Sequence, residues 1–202
     1  MLSDTSWVTF VLTCAVIELT PGPNMAYLAV LSATEGRRSG LAAVAGVALG
    51  LLIVGLLAAF GLAALIAASP VLFQILRWAG TAYLLWLAWD AWREETPEDS
   101  EFADDAARYF RRGLIVNLLN PKAGVFYVVM LPQFVDQAGA LVPQTVTLSV
   151  TFVVIATLIH TSIVILSDLA HGVIGTQSRR KTLRRFMAIV LVLIAIWFVF
   201  ET

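Results

Sequence analysis

The chain has 202 residues, of which 59% are hydrophobic and only 13% are charged, and its formal net charge is −1. A soluble domain usually carries about 25% charged residues, and here no Asp, Glu, Lys or Arg occurs from Ser39 to Leu76 or from Gln137 to Ser167. These features exclude an ordinary water-soluble domain. Cys14 is the single cysteine, which excludes a disulfide framework within the chain and paired-cysteine redox chemistry.

Long apolar stretches predict an all-α, polytopic membrane protein of about six transmembrane helices. A span needs roughly 20 apolar residues, and its backbone must be helical because lipid offers no hydrogen-bond partners. The first stretch lacks a preceding basic segment, so we expect it to remain in the mature protein rather than to be cleaved as a signal peptide. The predicted spans are 7–31, 40–67, 71–92, 113–134, 145–169 and 183–200, with a tight reversal at 68–70.

The distribution of basic residues predicts the topology. The loops after spans one, three and five, counted with Arg184 and Arg185 at the start of span six, hold 11 of the 13 Lys and Arg residues, and the other loops and both termini hold none. Because cytoplasmic loops carry the excess of basic residues, the odd-numbered loops should be cytoplasmic and both termini should lie outside the cytoplasm.

Two interrupted spans suggest that the chain is built from two inverted three-helix repeats. Residues 1–92 would form the first half, 93–112 a solvated cytoplasmic linker, and 113–202 the second half. Span one is interrupted by prolines around Gly22, and span four by Pro121 beside Asn120. Corresponding broken helices in inverted halves point to a transporter site near the bilayer midplane.

The first interruption combines Pro21, Gly22 and Pro23 with an acid and an amide inside the predicted span, Glu18 and Asn24. Proline removes a backbone donor and breaks a helix, and the helix that restarts offers an N-terminus that attracts anions such as a substrate carboxylate. A simple proline kink is the alternative, but a charge at this depth favours function. Glu18 would bind a substrate ammonium or a coupling proton, unless it is a structural ion pair or stays protonated.

The second interruption contains Asn117, Asn120, Pro121 and Lys122. Lys122 is the natural counter-charge: it could hold a substrate carboxylate, pair with Glu18, or extend to the cytoplasmic interface. Asn24, Asn117 and Asn120 could satisfy the broken backbone, contact substrate, or do both.

Other polar residues in the spans are weaker candidates. We expect His160 to be a neutral, hydrogen-bonded histidine rather than a proton relay, and Arg77 to extend to the outer interface. Asp90, Asp168 and His171 are expected at a solvated boundary. Gly46 and Gly50 form a small-residue face for helix packing, within the bundle or between subunits. No motif indicates a metal site or a cofactor.

Several motifs resemble the exporter family known as LysE/RhtB. They cover roughly residues 10–135 in order, whereas the final third agrees only in hydropathy. The resemblance implies a bacterial inner-membrane exporter of amino acids and related metabolites with six spans, coupled to the proton motive force. It matches residues 21–24 and Asn117, Asn120, Pro121 and Lys122 to the two broken segments. The motifs are Leu19–Asn24 (LTPGPN), Gly36–Gly40 (GRRSG), Gly46–Gly50 (GVALG), Gly80–Leu84 (GTAYL), Gly113–Ala123 (GLIVNLLNPKA) and Leu131–Phe134 (LPQF).

The favoured interpretation is therefore a secondary transporter that exports an amino acid or similar zwitterion by alternating access. An ion or metal exporter on the same fold is the alternative, and the scarcity of clustered Cys, His and acids argues against it. No nucleophile–base pair indicates an enzyme, and a scaffold would leave two matched broken helices unexplained. The expected partners are the small substrate and the lipid bilayer, with a homodimer possible and no nucleic acid.

Overall fold

A computed structural model describes residues 4–61, 69–93, 102–136 and 138–173, together with scattered residues between 182 and 196. This part of the chain is helical and has no strand, as the sequence predicts. Short π-helical and 3-10 segments, Phe126–Met130 and Leu131–Phe134, precede the last helix. The α-helices are α1 (Asp4–Leu19), α2 (Pro23–Glu35), α3 (Arg37–Ala59), α4 (Pro70–Arg93), α5 (Phe102–Leu118), α6 (Pro121–Val125) and α7 (Leu141–Val173).

The first predicted span is two helices, α1 and α2, separated by residues 20–22. Pro21 and Pro23 supply no backbone N–H, so α1 loses the donors that would continue its hydrogen-bond ladder. Pro23 then occupies the first turn of α2, where a missing N–H costs nothing. Gly36 ends α2 with a φ of 81°, a left-handed conformation that glycine adopts without strain, and α3 starts at the next residue.

The fourth predicted span is broken as well. α5 ends at Leu118, and the Asn120 side chain accepts a hydrogen bond from the Lys122 backbone N–H to cap α6. The segments Ala106–Leu118 and Lys122–Phe134 are inclined by 52° to each other. Proline again causes the break, because Pro121 opens the new helix as its first residue.

Within the described residues, two helices, Arg37–Ala59 and Leu141–Leu169, are long and apolar enough to cross a membrane, and the bent pair would make a third span. The all-α membrane fold is confirmed for the described part of the chain. α7 has 33 residues, about 50 Å at 1.5 Å per residue, which exceeds the hydrocarbon thickness. The end of span two at 62–67 and most of span six lie outside the described residues, and the inverted relation of the halves stays a prediction.

The predicted linker, residues 93–112, is partly helical, because α5 begins at Phe102; its bounds and its cytoplasmic side stay predictions. Asp90 of α4 forms ion pairs with Arg108, at 3.2 Å, and with Arg112. Arg112 also lies over the rings of Trp86 and Tyr109. Asp90 therefore joins α4 to α5, with its side chain still a quarter exposed.

Glycines permit the close packing of α3 against α5. A Cβ added at Gly46 would overlap the backbone carbonyl of Phe110, one at Gly113 would overlap that of Ala43, and one at Gly50 would lie 2.7 Å from the Asn117 amide nitrogen. The small-residue face thus packs inside this chain, so these glycines provide no surface for a second subunit.

The helix α7 packs along α2 and α3 and completes the core. Its Asp168 carboxylate accepts a hydrogen bond of 2.8 Å from the backbone N–H of Arg37, the first residue of α3. An acidic group at this position satisfies an otherwise free N–H and complements the helix dipole. Asp168 therefore has a structural partner that the sequence did not reveal.

A Gly46→Ala substitution tests the close approach of α3 and α5. Alanine favours helix intrinsically, yet here its methyl group has no room beside Phe110, so we expect a loss of about 1–3 kcal/mol of stability and a lower apparent Tm in detergent. Gly124→Ala is the matched control, because nothing lies within 4 Å of a Cβ added there. Equal melting temperatures for the two variants would contradict this packing.

Candidate functional site

The two broken segments meet at a lysine. In a continuous helix the Thr20 carbonyl would accept a hydrogen bond from the N–H of residue 24, but the break frees it. The Lys122 ammonium, from the second break, donates a hydrogen bond of 2.7 Å to that carbonyl. Gly22 leaves space for the lysine stem, since a Cβ there would lie 3.3 Å from Lys122 Cδ.

The start of α2 is the second polar feature. Gly22 is its N-cap residue and no side chain accepts a hydrogen bond from the first turn. Pro23 has no N–H, so the N–H groups without a partner inside the helix at this end are those of Asn24 and Met25. With the positive end of the helix dipole they form a site that favours negative charge.

A pair of asparagines joins the two breaks beside this helix end. Asn24 Nδ2 donates a hydrogen bond of 2.8 Å to Asn117 Oδ1, and both residues are buried. The opposite amide atoms, Asn24 Oδ1 and Asn117 Nδ2, have no hydrogen-bond partner among the described residues. Buried amide atoms normally have a hydrogen-bond partner. These two atoms have none within the described structure, so each could bind a further polar group.

A carboxylate and an imidazole face each other across α1 and α7. Glu18 Oε2 lies 3.1 Å from His160 Nε2, and the two side chains are 8% and 1% exposed. This separation allows an ion pair when the imidazole is protonated. The atoms are not aligned as a hydrogen bond, and neither ring nitrogen of His160 has a hydrogen-bond partner among the described residues.

These groups surround one small pocket of about 250 Å³, counting its open mouth. Its polar lining combines one carboxylate, one ammonium, one imidazole and two amides. Among the described residues, no group of three or more His, Cys, Asp or Glu side chains could hold a metal ion. The lining residues are Glu18, Gly22, Asn24, Met25, Asn120, Lys122, Ala123 and His160.

The structure brings most of the predicted site residues together. Five of them line the pocket, and Asn117 contacts that lining through Asn24. Pro21 is exposed, whereas Pro23 lines a separate apolar cavity beside Tyr83. Pro121 contributes the backbone start of α6. The binding role of all nine residues stays a prediction.

The structure shows the partners of two polar side chains in the spans. Of the alternatives for Lys122, an ion pair with Glu18 is not formed, because its ammonium donates to the Thr20 carbonyl. His160, expected to be a hydrogen-bonded histidine, has no hydrogen bond from either ring nitrogen and instead faces Glu18. The side chains of Arg77 and His171 lie outside the description of the structure.

His160 is the site residue that sequence reasoning ranked too low. Its signal was present, since it is the single titratable side chain within the charge-free run from Gln137 to Ser167. An ionisable residue inside a membrane span marks function by default. Its partner could not be chosen from the sequence, because Glu18 and His160 are far apart along the chain.

Comparison with known proteins agrees with this architecture. The family model described as LysE type translocator matches residues 15–202. The chain is 32% identical over 182 residues to a homoserine/homoserine lactone efflux protein of Salmonella typhi, covering 89% of this chain and 88% of the relative. It is 36% identical over 132 residues to a leucine efflux protein of Enterobacter sp. (strain 638), covering 63% of each protein.

An uncharacterized membrane protein of Vibrio cholerae is 34% identical to the chain over 152 residues, covering 74% of each protein. No solved structure matches.

A double-mutant cycle on Asn24 and Asn117 tests whether the two breaks are coupled. Each alanine substitution leaves a buried amide atom unpaired, which costs about 1–3 kcal/mol, so both single variants should have a lower apparent Tm in detergent. The double variant should lose less stability than the two single variants together, and the difference, the coupling energy, should be about 0.5–3 kcal/mol.

The control pairs Asn24→Ala with Gln133→Ala, because Gln133 is exposed and bonds the Val129 carbonyl one turn away. That cycle should be additive. Additive losses in the asparagine cycle as well would show that the breaks are not joined through these amides.

Proposed function

The chain belongs to the LysE type translocator family, and on that premise we propose that it exports amino acids or related small zwitterions across the bacterial inner membrane, driven by the proton motive force. It is a transporter and not an enzyme. The observation that carries the proposal is the pocket at the meeting point of two broken helices, where groups of both charges face the same space.

The charges of the pocket match those of an amino acid. The Glu18 carboxylate is the group that would bind the substrate ammonium. The backbone N–H groups at the start of α2 and the Lys122 ammonium would bind the substrate carboxylate. In a site largely shielded from water such contacts are stronger than at a surface, and a zwitterion satisfies both sets of charges at once.

The size of the pocket indicates a closed conformation. The space enclosed between its lining atoms is about 10 Å³, roughly the room that one water molecule needs and far below the roughly 300–1,000 Å³ of most small-molecule pockets. The Lys122 ammonium is held by the Thr20 carbonyl. A substrate carboxylate would compete with that carbonyl for Lys122, so substrate binding would loosen the contact between the two breaks.

Loosening this contact provides a route to alternating access. Each break separates two rigid helical pieces, and the contact between Lys122 and Thr20 joins one break to the other. In transporters with broken helices, one half rocks against the other around a fixed site. We place the site at the breaks and the moving boundary between residues 1–92 and residues 113–202.

The names of the relatives support the substrate class and the direction. The Salmonella typhi relative is named for the efflux of homoserine and homoserine lactone, and the Enterobacter relative for the efflux of leucine. Both named amino acids carry the ammonium and the carboxylate that the pocket could bind. Their side chains differ in polarity, which agrees with a site that reads mainly the shared zwitterion.

The charge distribution supports the membrane orientation. With 11 of 13 basic residues in or directly beside the odd-numbered loops, the positive-inside rule places those loops in the cytoplasm. We therefore expect a reporter fused to either terminus to be active only if it functions outside the cytoplasm. Alkaline phosphatase fusions should be active and green fluorescent protein fusions dark, and the opposite pattern would reverse the proposed topology.

A Glu18→Gln substitution tests the function directly. In liposomes loaded with unlabelled leucine or homoserine, the wild-type protein should take up the labelled amino acid by counterflow. Glu18→Gln should reduce this exchange to the level of substrate-loaded liposomes that contain no protein, because the amide offers no charge to the substrate ammonium.

The matched control is Asp136→Asn, the same chemical change at an exposed carboxylate outside the pocket. It should exchange substrate like the wild type. Undiminished counterflow in Glu18→Gln would remove the assigned role of this carboxylate.

A further inference from the structure

The pocket holds one carboxylate and two basic side chains, and the one nearer to the carboxylate is the imidazole. His160 Nε2 lies 3.1 Å from Glu18 Oε2, whereas the Lys122 ammonium is engaged by the Thr20 carbonyl. His160 is fully buried and neither ring nitrogen forms a hydrogen bond among the described residues. The imidazole is therefore held in place by packing and by its position opposite Glu18, not by a structural hydrogen bond.

The ionisable groups around this pair come from each neighbouring element. On α1 the thiol of Cys14 interacts electrostatically with Glu18, as do Lys122 of α6 and Tyr127 of the π-helical segment. Thiol and phenol are uncharged at neutral pH. Imidazole is the side chain that most readily gains or loses a charge near neutral pH, so His160 is the switchable member of the group.

We propose, building on the export function above, that a protonated His160 and the substrate ammonium compete for Glu18. A single buried carboxylate can neutralise one adjacent cation, and a second one would remain uncompensated in a low-dielectric site. Substrate binding at Glu18 thus expels the proton from His160, and substrate release allows the proton to return. His160 is the proton-binding residue of an exchange with one proton for one zwitterion.

The competition gives the direction of coupling. When the pocket opens to the cytoplasm, the substrate ammonium pairs with Glu18 and His160 releases its proton to the cytoplasm. When the pocket opens to the outside, the substrate leaves and His160 takes a proton from the external solution. Each cycle moves one zwitterion out and one proton in, so an inward proton gradient drives export.

A His160→Gln substitution separates coupling from transport. Counterflow uses only substrate-loaded forms and should remain measurable, but its KM should no longer rise as the pH falls. Accumulation of labelled leucine or homoserine driven by an imposed pH gradient should be lost, because no imidazole remains to carry the proton back through the substrate-free pocket. The matched control is His171→Gln, about three turns farther along α7, which should retain both the pH-dependent KM and the accumulation.

A measurement on the wild-type protein tests the same claim without a variant that could misfold. Lowering the pH on both sides should raise the KM for counterflow and leave the maximal rate unchanged, since protons and substrate exclude each other at Glu18. Adding leucine or homoserine to purified protein in weak buffer should release protons, detected with a pH-sensitive dye.

The outcomes separate the two proposals. If the wild type exchanges neither amino acid, the proposed function fails, and this inference fails with it. If the wild type exchanges substrate, then pH-driven accumulation by His160→Gln, or a KM independent of pH, overturns the role of His160 alone.

Discussion

The hydrogen bond from the Lys122 ammonium to the Thr20 carbonyl satisfies a requirement that applies to every helix in a membrane. A membrane helix must satisfy its own backbone, and prolines in spans one and four prevent this locally. The freed carbonyl at the first break is satisfied by a side chain from the second break. The partner comes from the other break, so the segments around the two breaks depend on each other at this point.

The packing of the bundle follows from the need to bring those breaks together. Gly46, Gly50 and Gly113 let α3 and α5 approach closely, which carries the second break toward the core and gives space to the Asn117 amide. Asn117 then reaches Asn24 at the start of α2. Small residues are the usual means of close helix contact in membranes, and here they also position polar groups.

The same polar groups that stabilise the breaks are those that a substrate could use. Lys122 has a backbone partner, while Asn24 and Asn117 each keep one unpaired amide atom among the described residues. Structural and binding roles are therefore compatible for these residues. In the proposed cycle a substrate carboxylate or amine would replace a contact within the protein, which would link binding to conformational change.

Local chemistry in the sequence determined the helical class and the positions of both breaks, because proline acts on its immediate neighbours and hydropathy on one stretch at a time. Tertiary structure alone decided the partners: His160 rather than Lys122 beside Glu18, Asp90 with Arg108 and Arg112, and Asp168 at the start of α3. These partners belong to different helices, and their distances depend on how each helix is rotated and shifted against the next. That geometry results from side-chain packing across the bundle, which no single stretch of sequence contains.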